Sequence, residues 1–226
     1  MGSLMEIRRR MMETDALPPK YTKYDWLRTS GHNARIDTGV SGDDETLQIK
    51  CTLMPVVLVD SNISVFGNYK SYSDHYCWRC MTTGTSSSDY YRMYMVTAGN
   101  NSPNGGTYGI YTTGTTNHVG DKMVIDMSYG ECTLTGRTVF TRTIPYAQKT
   151  ANPTNIALGS LHPTNVTNSN ATQFRIYNFK LWSHGKLVRN YIPCVRKSDN
   201  KAGFYDSVNH TFNPSIGSVD FVAGND

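Results

Sequence analysis

The run Phe174-Arg175-Ile176-Tyr177-Asn178-Phe179-Lys180-Leu181-Trp182, followed by Ser183-His184-Gly185-Lys186 and then by Leu187-Val188-Arg189-Asn190-Tyr191-Ile192-Pro193-Cys194-Val195, decides the fold. Two segments rich in aromatic and β-branched residues flank His184-Gly185. A glycine in a two-residue loop supplies the positive φ that a primed turn needs, so the stretch predicts a long β-hairpin. The apolar phase shifts inside the first segment, from Phe174 and Ile176 to Tyr177, Phe179 and Leu181. Strand side chains alternate between faces, so the shift means either a bulge or a strand covered on both faces.

The same strand-and-turn texture extends outward through the 226 residues. Tyr21 to Thr29 reads as one strand, Ala34 to Asp37 as its return, and Glu45 to Met54 as a strand with Leu47, Ile49, Cys51 and Leu53 inward and Gln48, Lys50 and Thr52 toward solvent. Further short strands are expected at Ile63–Gly67, His75–Thr82, Tyr90–Thr97, Gly106–Thr112, Lys122–Tyr129, Glu131–Leu134 and Thr138–Arg142. Asn152-Pro153-Thr154-Asn155 and His162-Pro163-Thr164-Asn165 bracket a buried strand at Ile156–Gly159, and Gly203–Asp206 with Val208–Phe212 make another hairpin-like piece. Glutamate, a good helix former, occurs only at Glu6, Glu13, Glu45 and Glu131. Many short strands at such spacing indicate two antiparallel sheets, and a closed two-sheet jelly roll hides the edges. The fold class expected is therefore all-β, a two-sheet antiparallel jelly-roll sandwich over residues 17–226 preceded by an arm, residues 1–16.

The arm contains Met5, Ile7, Arg8, Arg9, Arg10, Met11 and Met12, two helical turns' worth of apolar and basic residues that need a surface to dock on. Leu17-Pro18-Pro19 ends it. Met1 to Ala16 has charges but no apolar core, so no signal peptide is expected, and no run of the chain is apolar and long enough to suggest membrane insertion. The net charge of +4 is mild and its basic residues are scattered outside the arm, which implies no nucleic-acid partner for the main domain. Cys51, Cys77, Cys80, Cys132 and Cys194 are an odd set without framework spacing and read as reduced, mostly buried thiols. In a strand, Cys77 and Cys80 of the Cys-x-x-Cys pair would point to opposite faces, so no metal site is assigned to them.

Two passages carry a family resemblance. Leu17-Pro18-Pro19-Lys20-Tyr21-Thr22 leads through Trp26-Leu27 and Ser30-Gly31 to Ile36-Asp37-Thr38-Gly39-Val40. Later come Phe179-Lys180-Leu181-Trp182, Gly185-Lys186-Leu187-Val188-Arg189-Asn190-Tyr191-Ile192-Pro193-Cys194, Gly203-Phe204-Tyr205-Asp206 and Phe212. Together they resemble the concanavalin A-like, laminin-G-like jelly-roll domains found in phages and gut bacteria. The motif residues themselves suit turns and a strand end: Asp37-Thr38-Gly39 and Tyr205-Asp206 through side-chain-to-backbone hydrogen bonds, Tyr191-Ile192-Pro193 where no ladder donor is needed.

Hydrolytic relatives on that fold place Glu-x-Asp-x-x-Glu along one strand, so that two carboxylates flank the glycosidic bond about 5–5.5 Å apart. The pattern is absent. Asp121, Asp126 and Glu131 are spaced too far apart in sequence to supply it, and no Gly-x-Ser-x-Gly elbow accompanies His32, His75, His118, His162, His184 or His210. A non-enzymatic protein without a required cofactor is expected. Calcium is possible on this fold, with Asp43-Asp44, Asp60-Ser61-Asn62 or Asp121 as oxygen donors, but reads first as Asx turns. Tyr69, Tyr72, Asp74, His75, Trp78, Asp89, Tyr90 and Tyr91 place aromatic and hydrogen-bonding groups near Ser/Gly/Asn loops, a composition suited to stacking on sugar rings or docking a protein partner. The resemblance, the basic arm and the missing carboxylate motif lead to the expectation of a phage virion structural protein, a head decoration, fibre or tail component. Its arm would contact other virion proteins, its chains would form a homo-oligomer, and its lectin-like domain would touch glycans. A bacterial lectin-like protein is the alternative, and a divergent glycoside hydrolase the third reading.

Overall fold

The computed structural model describes residues 16–29, 34–56, 62–68, 78–84, 91–96, 110–111, 119–128, 131–137, 139–143, 154–160 and 173–226. Along the chain the strands are β1 (Tyr21–Lys23), β2 (Trp26–Thr29), β3 (Ile36–Ser41), β4 (Gln48–Pro55), β5 (Asn62–Gly67), β6 (Arg79–Gly84), β7 (Tyr91–Val96), β8 (Ile110–Tyr111) and β9 (Met123–Ser128). They continue as β10 (Glu131–Thr135), β11 (Val139–Thr143), β12 (Asn155–Leu158), β13 (Phe174–Ser183), β14 (Lys186–Arg196), β15 (Lys201–Asp206), β16 (Thr211–Pro214) and β17 (Phe221–Gly224). The larger sheet has the order β11-β10-β9-β4-β13-β14-β15-β16, with β1 paired to β14 and β2 to both β13 and β17; the smaller runs β3-β12-β5-β6-β7-β8. Among the described residues the chain is all β, folded as an antiparallel two-sheet jelly-roll sandwich. The arm residues from Met5 to Met12 lie outside the described residues.

The central hairpin forms as the sequence predicts. Ser183 faces Lys186 in register, and both turn residues have positive φ, 49° at His184 and 71° at Gly185, the conformation of a type I′ turn. The phase shift in β13 is a bulge. Its register against β4 jumps between Ile176 and Asn178, leaving Tyr177 as the extra residue.

Beyond the turn, β13 and β14 fork. Phe179 to Ser183 pair with β14, whereas Arg175 and Ile176 pair with β2; on the far arm, Cys194 to Arg196 pair with β1. The expected single strand Tyr21–Thr29 is therefore two, because the chain crosses the fork at Tyr24-Asp25. Pro193 does not end its strand, which continues to Arg196. Its carbonyl accepts from the Tyr24 N–H at 3.1 Å. A strand residue points its N–H and C=O to the same side, so Pro193 turns its missing donor toward the crossing, where the ladder needs none.

An aromatic series runs through the core that the sheets share: Phe66 to Phe179, 5.3 Å between ring centroids, then Tyr191, Phe204 and Phe221 at 6.2, 6.2 and 5.3 Å. Tilted and edge-on ring pairs at such distances add about 0.5–1.5 kcal/mol each beyond their burial. Cys51, Cys80, Cys132 and Cys194 are buried and free, and Cys77 lies outside the described residues. Burial pushes the Cys132 and Cys194 thiols up to about 12.

The motif residues fix turns and tie the sheets together. Asp37 Oδ1 accepts from the Gly39 N–H at 2.8 Å, and Thr38 Oγ1 donates to the Ile156 carbonyl at 2.7 Å. Gly39 has φ +64°, and a Cβ there would lie 3.3 Å from Arg189 Nη2. Arg189 Nε donates to the Thr38 carbonyl at 2.8 Å and lies 3.6 Å from Asp206 Oδ2. The Asp206 carboxylate, 1% exposed, also accepts from the N–H groups of Asn190 and Val208 and from Asn209 Nδ2. Removing an acceptor of this kind strands several buried donors. Asp206→Ala is expected to lower unfolding stability by about 3 kcal/mol in denaturant titration; a loss within experimental error would show that the cluster is dispensable.

Candidate functional site

Alternation along β4, β9 and β10, and along β13 from Asn178 onward, gives the larger sheet two unlike faces. Ile49, Cys51, Ile125, Met127, Leu134 and Leu181 are buried, while Gln48, Lys50, Asp126, Ser128, Glu131, Thr133 and Lys180 point outward at half or full exposure. Register assembles the outer residues into rows across strands. Trp182, Gln48, Ser128 and Glu131 form one; Asn190, Lys180, Lys50, Asp126, Thr133 and Thr141 form the next; Asn178, Thr52, Val124, Thr135 and Val139 form a third. The middle row crosses six strands, about 24 Å at the usual inter-strand spacing.

Side-chain hydrogen bonds hold this face in place. Asp126 accepts from Gln48 Nε2 at 2.8 Å and lies 3.5 Å from Lys50 Nζ. Asn178 Nδ2 donates to Thr52 Oγ1 at 3.0 Å, and the hydroxyls of Thr133 and Thr141 meet at 3.1 Å. Two depressions lie on the face. One, about 250 Å³, is lined by Gln48, Lys50, Val124, Asp126, Ser128, Glu131, Thr133 and Thr135. The other, about 190 Å³, lies at the fork among Lys23, Tyr24, Asp25, Tyr177, Asn178, Lys180 and Asn190. They adjoin across the Lys50/Lys180 register pair. Asp126 and Glu131, far apart in sequence terms, are diagonal neighbours on this face through the β9–β10 hairpin, with attachment points about 7–8 Å apart. Such a surface offers alternating donors and acceptors along a shallow track, with the half-buried Trp182 indole beside it.

The residues singled out from sequence do not form this face. Tyr69, Tyr72, Asp74, His75, Asp89 and Tyr90 lie outside the described residues, and of Tyr91 only its backbone, opening β7 opposite Gly84, is described. Trp78 must be corrected. It is 1% exposed, its indole N–H donates to the Gly42 carbonyl at 3.1 Å, and its backbone N–H donates to Asn68 Oδ1 at 2.7 Å. A side chain so enclosed packs the core and cannot stack on a ligand. Of the calcium candidates, Asp43 accepts from Ser41 Oγ, Asp44 from Ser183 and Thr46, and Asp121 pairs with Arg137. Asp60 and Ser61 lie outside the described residues, as does the Asn62 side chain. Among the described residues no group of three or more His, Cys, Asp or Glu is placed to hold a metal, and no helix is long and apolar enough to cross a membrane.

No protein-family model and no curated protein matches the chain. Solved structures do. A tailspike protein of Escherichia coli O157:H7 bacteriophage CAB120 is similar at 10% identity and TM-score 0.46, over 79% of this chain and 26% of that one, so the chain spans about a quarter of the tailspike's length. A heptameric SAP-like pentraxin from Limulus polyphemus is similar at 8% identity and TM-score 0.45, over 93% and 91%. An alginate lyase from Alteromonas sp. 272 is similar at 10% identity and TM-score 0.39, over 69% and 83%. At these identities no residue role passes from them to this chain. They do correct the expectation of a non-enzymatic protein: alginate lyases recur among the similar structures. The missing Glu-x-Asp-x-x-Glu strand speaks only to one paired-carboxylate hydrolysis and does not place the chain outside enzymes.

The Trp182 end of the face is closed by the loop before β4. The Ser183 hydroxyl and the Thr46 hydroxyl and N–H donate to Asp44, and the His184 N–H donates to Thr46 Oγ1 at 2.7 Å. Partial burial raises the Asp44 pKa, but the Ser183 and Thr46 hydrogen bonds and the nearby His184 outweigh it and hold the carboxyl below its ordinary 3.8. A carboxyl depressed on folding stabilises the native state above the unfolded value and loses that contribution as pH falls through the folded one. Asp44→Ala is expected to lower Tm by about 2–4 °C at neutral pH. Thermal melts should show the gap narrowing below pH 3.8; a gap unchanged in acid would contradict the account of this clamp.

Proposed function

We propose that this chain is a concanavalin A-like glycan-binding domain whose ligand lies along the outer face of the larger sheet. The observation that carries the proposal is the pair of adjoining depressions that the register builds from Gln48, Lys50, Asp126, Asn178 and Lys180, with Trp182 beside them. Sugar hydroxyls require both donors and acceptors, and sugar ring faces stack on aromatic rings; the face supplies all three. Its length accommodates several sugars in line. On a glycan array, the wild-type chain is expected to retain a defined set of oligosaccharides. Trp182→Ala, checked for an unchanged fold by circular dichroism, should weaken them about tenfold. Equal retention by the variant would remove this face from consideration.

A second reading rests on Asp126 and Glu131. Their diagonal placement is compatible with the about 6.5–9.5 Å carboxyl separation of an inverting pair. Release of reducing ends from bound glycans, with Asp126→Asn as control, separates turnover from binding.

The proposed setting is a phage particle, as head decoration, fibre or tail component. It is supported by the resemblance of Leu17–Val40 and Phe179–Asp206 to domains found in phages, and by the basic, methionine-rich segment from Met5 to Met12 as a docking arm for other virion proteins or for further copies of the chain. Deleting residues 1–16 is expected to abolish particle incorporation while leaving glycan retention intact; undiminished incorporation would contradict the role given to the arm.

A further inference from the structure

Lys50 and Lys180 are direct partners in the β4/β13 register. Like charges directly opposite one another on a sheet face destabilise the pairing, and conflicts of this kind concentrate at functional sites. Within the described residues the two ammonium groups are answered unequally. Lys50 Nζ lies 3.5 Å from Asp126 Oδ2. Lys180 is half-buried on the rim of the fork depression, and its ammonium has no ion pair or hydrogen bond to another described residue.

Charge is also graded along the face. The depression at the fork sets Lys23 and Lys180 against Asp25 alone, and Asp25 Oδ2 already accepts from the Asp226 N–H at 3.1 Å. The depression over β9 and β10 reverses the balance, with Lys50 against Asp126 and Glu131. A ligand lying across both therefore meets a cationic end and an acidic end. A wholly neutral glycan satisfies the acidic end through its hydroxyl donors, but leaves the Lys50/Lys180 conflict in place.

Resting on the glycan-binding reading of this face, we infer that its ligand is an acidic glycan. The anionic group, a sugar carboxylate or sulfate, sits at the fork against Lys180 with Lys23 beside it. Hydroxyls further along the chain donate to Asp126 and Glu131. The anion neutralises the lysine opposition at the moment of binding, so the conflict built into the free protein becomes a preference for charged sugars over neutral ones. Lysine suits this role as a compact point charge that accepts either oxyanion.

The test is a glycan array with matched carboxylated, sulfated and neutral members, probed with the wild-type chain, Lys180→Gln and Trp182→Ala. Acidic members are expected to be retained most strongly. Lys180→Gln should weaken them at least about tenfold, the scale of one charge-assisted hydrogen bond, and so lower the ratio of acidic to neutral retention. Its melting temperature should hold or rise, because the substitution removes a like-charge opposition, so loss of binding cannot be ascribed to unfolding. Preference among carboxylated and sulfated members identifies which anion the fork takes. Neutral glycans retained as strongly as acidic ones, or acidic binding unchanged in Lys180→Gln, overturns the inference while Trp182-dependent binding leaves the face itself standing. Retention of no glycan by the wild-type chain removes both.

Discussion

A carboxylate withdrawn from water costs several kcal/mol unless its oxygens are occupied, and the way Asp206 occupies its own sets the geometry of much of the molecule. Its partners come from the strand before it, the turn after it and the guanidinium of Arg189. Arg189 in turn donates to the Thr38 carbonyl on β3, which belongs to the other sheet. One buried charge thus fixes the β14–β15 hairpin and also fastens it to the turn at Asp37-Thr38-Gly39. Residues from both of the sequence passages quoted for the resemblance, Asp37-Thr38-Gly39 and Arg189 with Asp206, meet here.

With the sheets fastened on that side, the fork in the central hairpin shapes the outer face of the larger sheet. β13 stays with β4, β14 diverges toward β15, and the chain between β1 and β2 crosses the opening. The crossing leaves a depression where an ordinary hairpin would present closed ladder. The bulge at Tyr177 restores the outward phase from Asn178 onward, so that Asn178 and Lys180 come into line with Thr52 and Lys50. Without the bulge, every residue beyond it would change faces, and the polar track would be interrupted at β13.

The architecture was largely legible in the sequence because it rests on local signals. The His184-Gly185 turn, the alternation in β4 and the phase shift in β13 each have a near-neighbour cause. The aromatics of this stretch line up between the sheets, with Phe179, Tyr191 and Phe204 in one series of ring contacts. The proposed binding face was not legible for the opposite reason. Lys50 and Lys180 are adjacent only through strand register, and Asp126 and Glu131 become neighbours only once their hairpin is closed. The outward phase of Gln48, Lys50 and Thr52 was visible, but not what stood beside it. Trp78 misled because an aromatic flanked by tyrosines and polar loops has the composition of a binding surface; its buried hydrogen bonds to Gly42 and Asn68 show a core residue instead.

Chemical-shift mapping of the isotopically labelled chain, titrated with an oligosaccharide it retains, tests the central claim most directly. The account predicts that the largest changes fall on the side chains of Gln48, Lys50, Asn178, Lys180 and Trp182 and on their strand neighbours in β9. Changes confined to the tyrosine-rich segment from Tyr69 to Tyr91, with β4 and β13 silent, would contradict it.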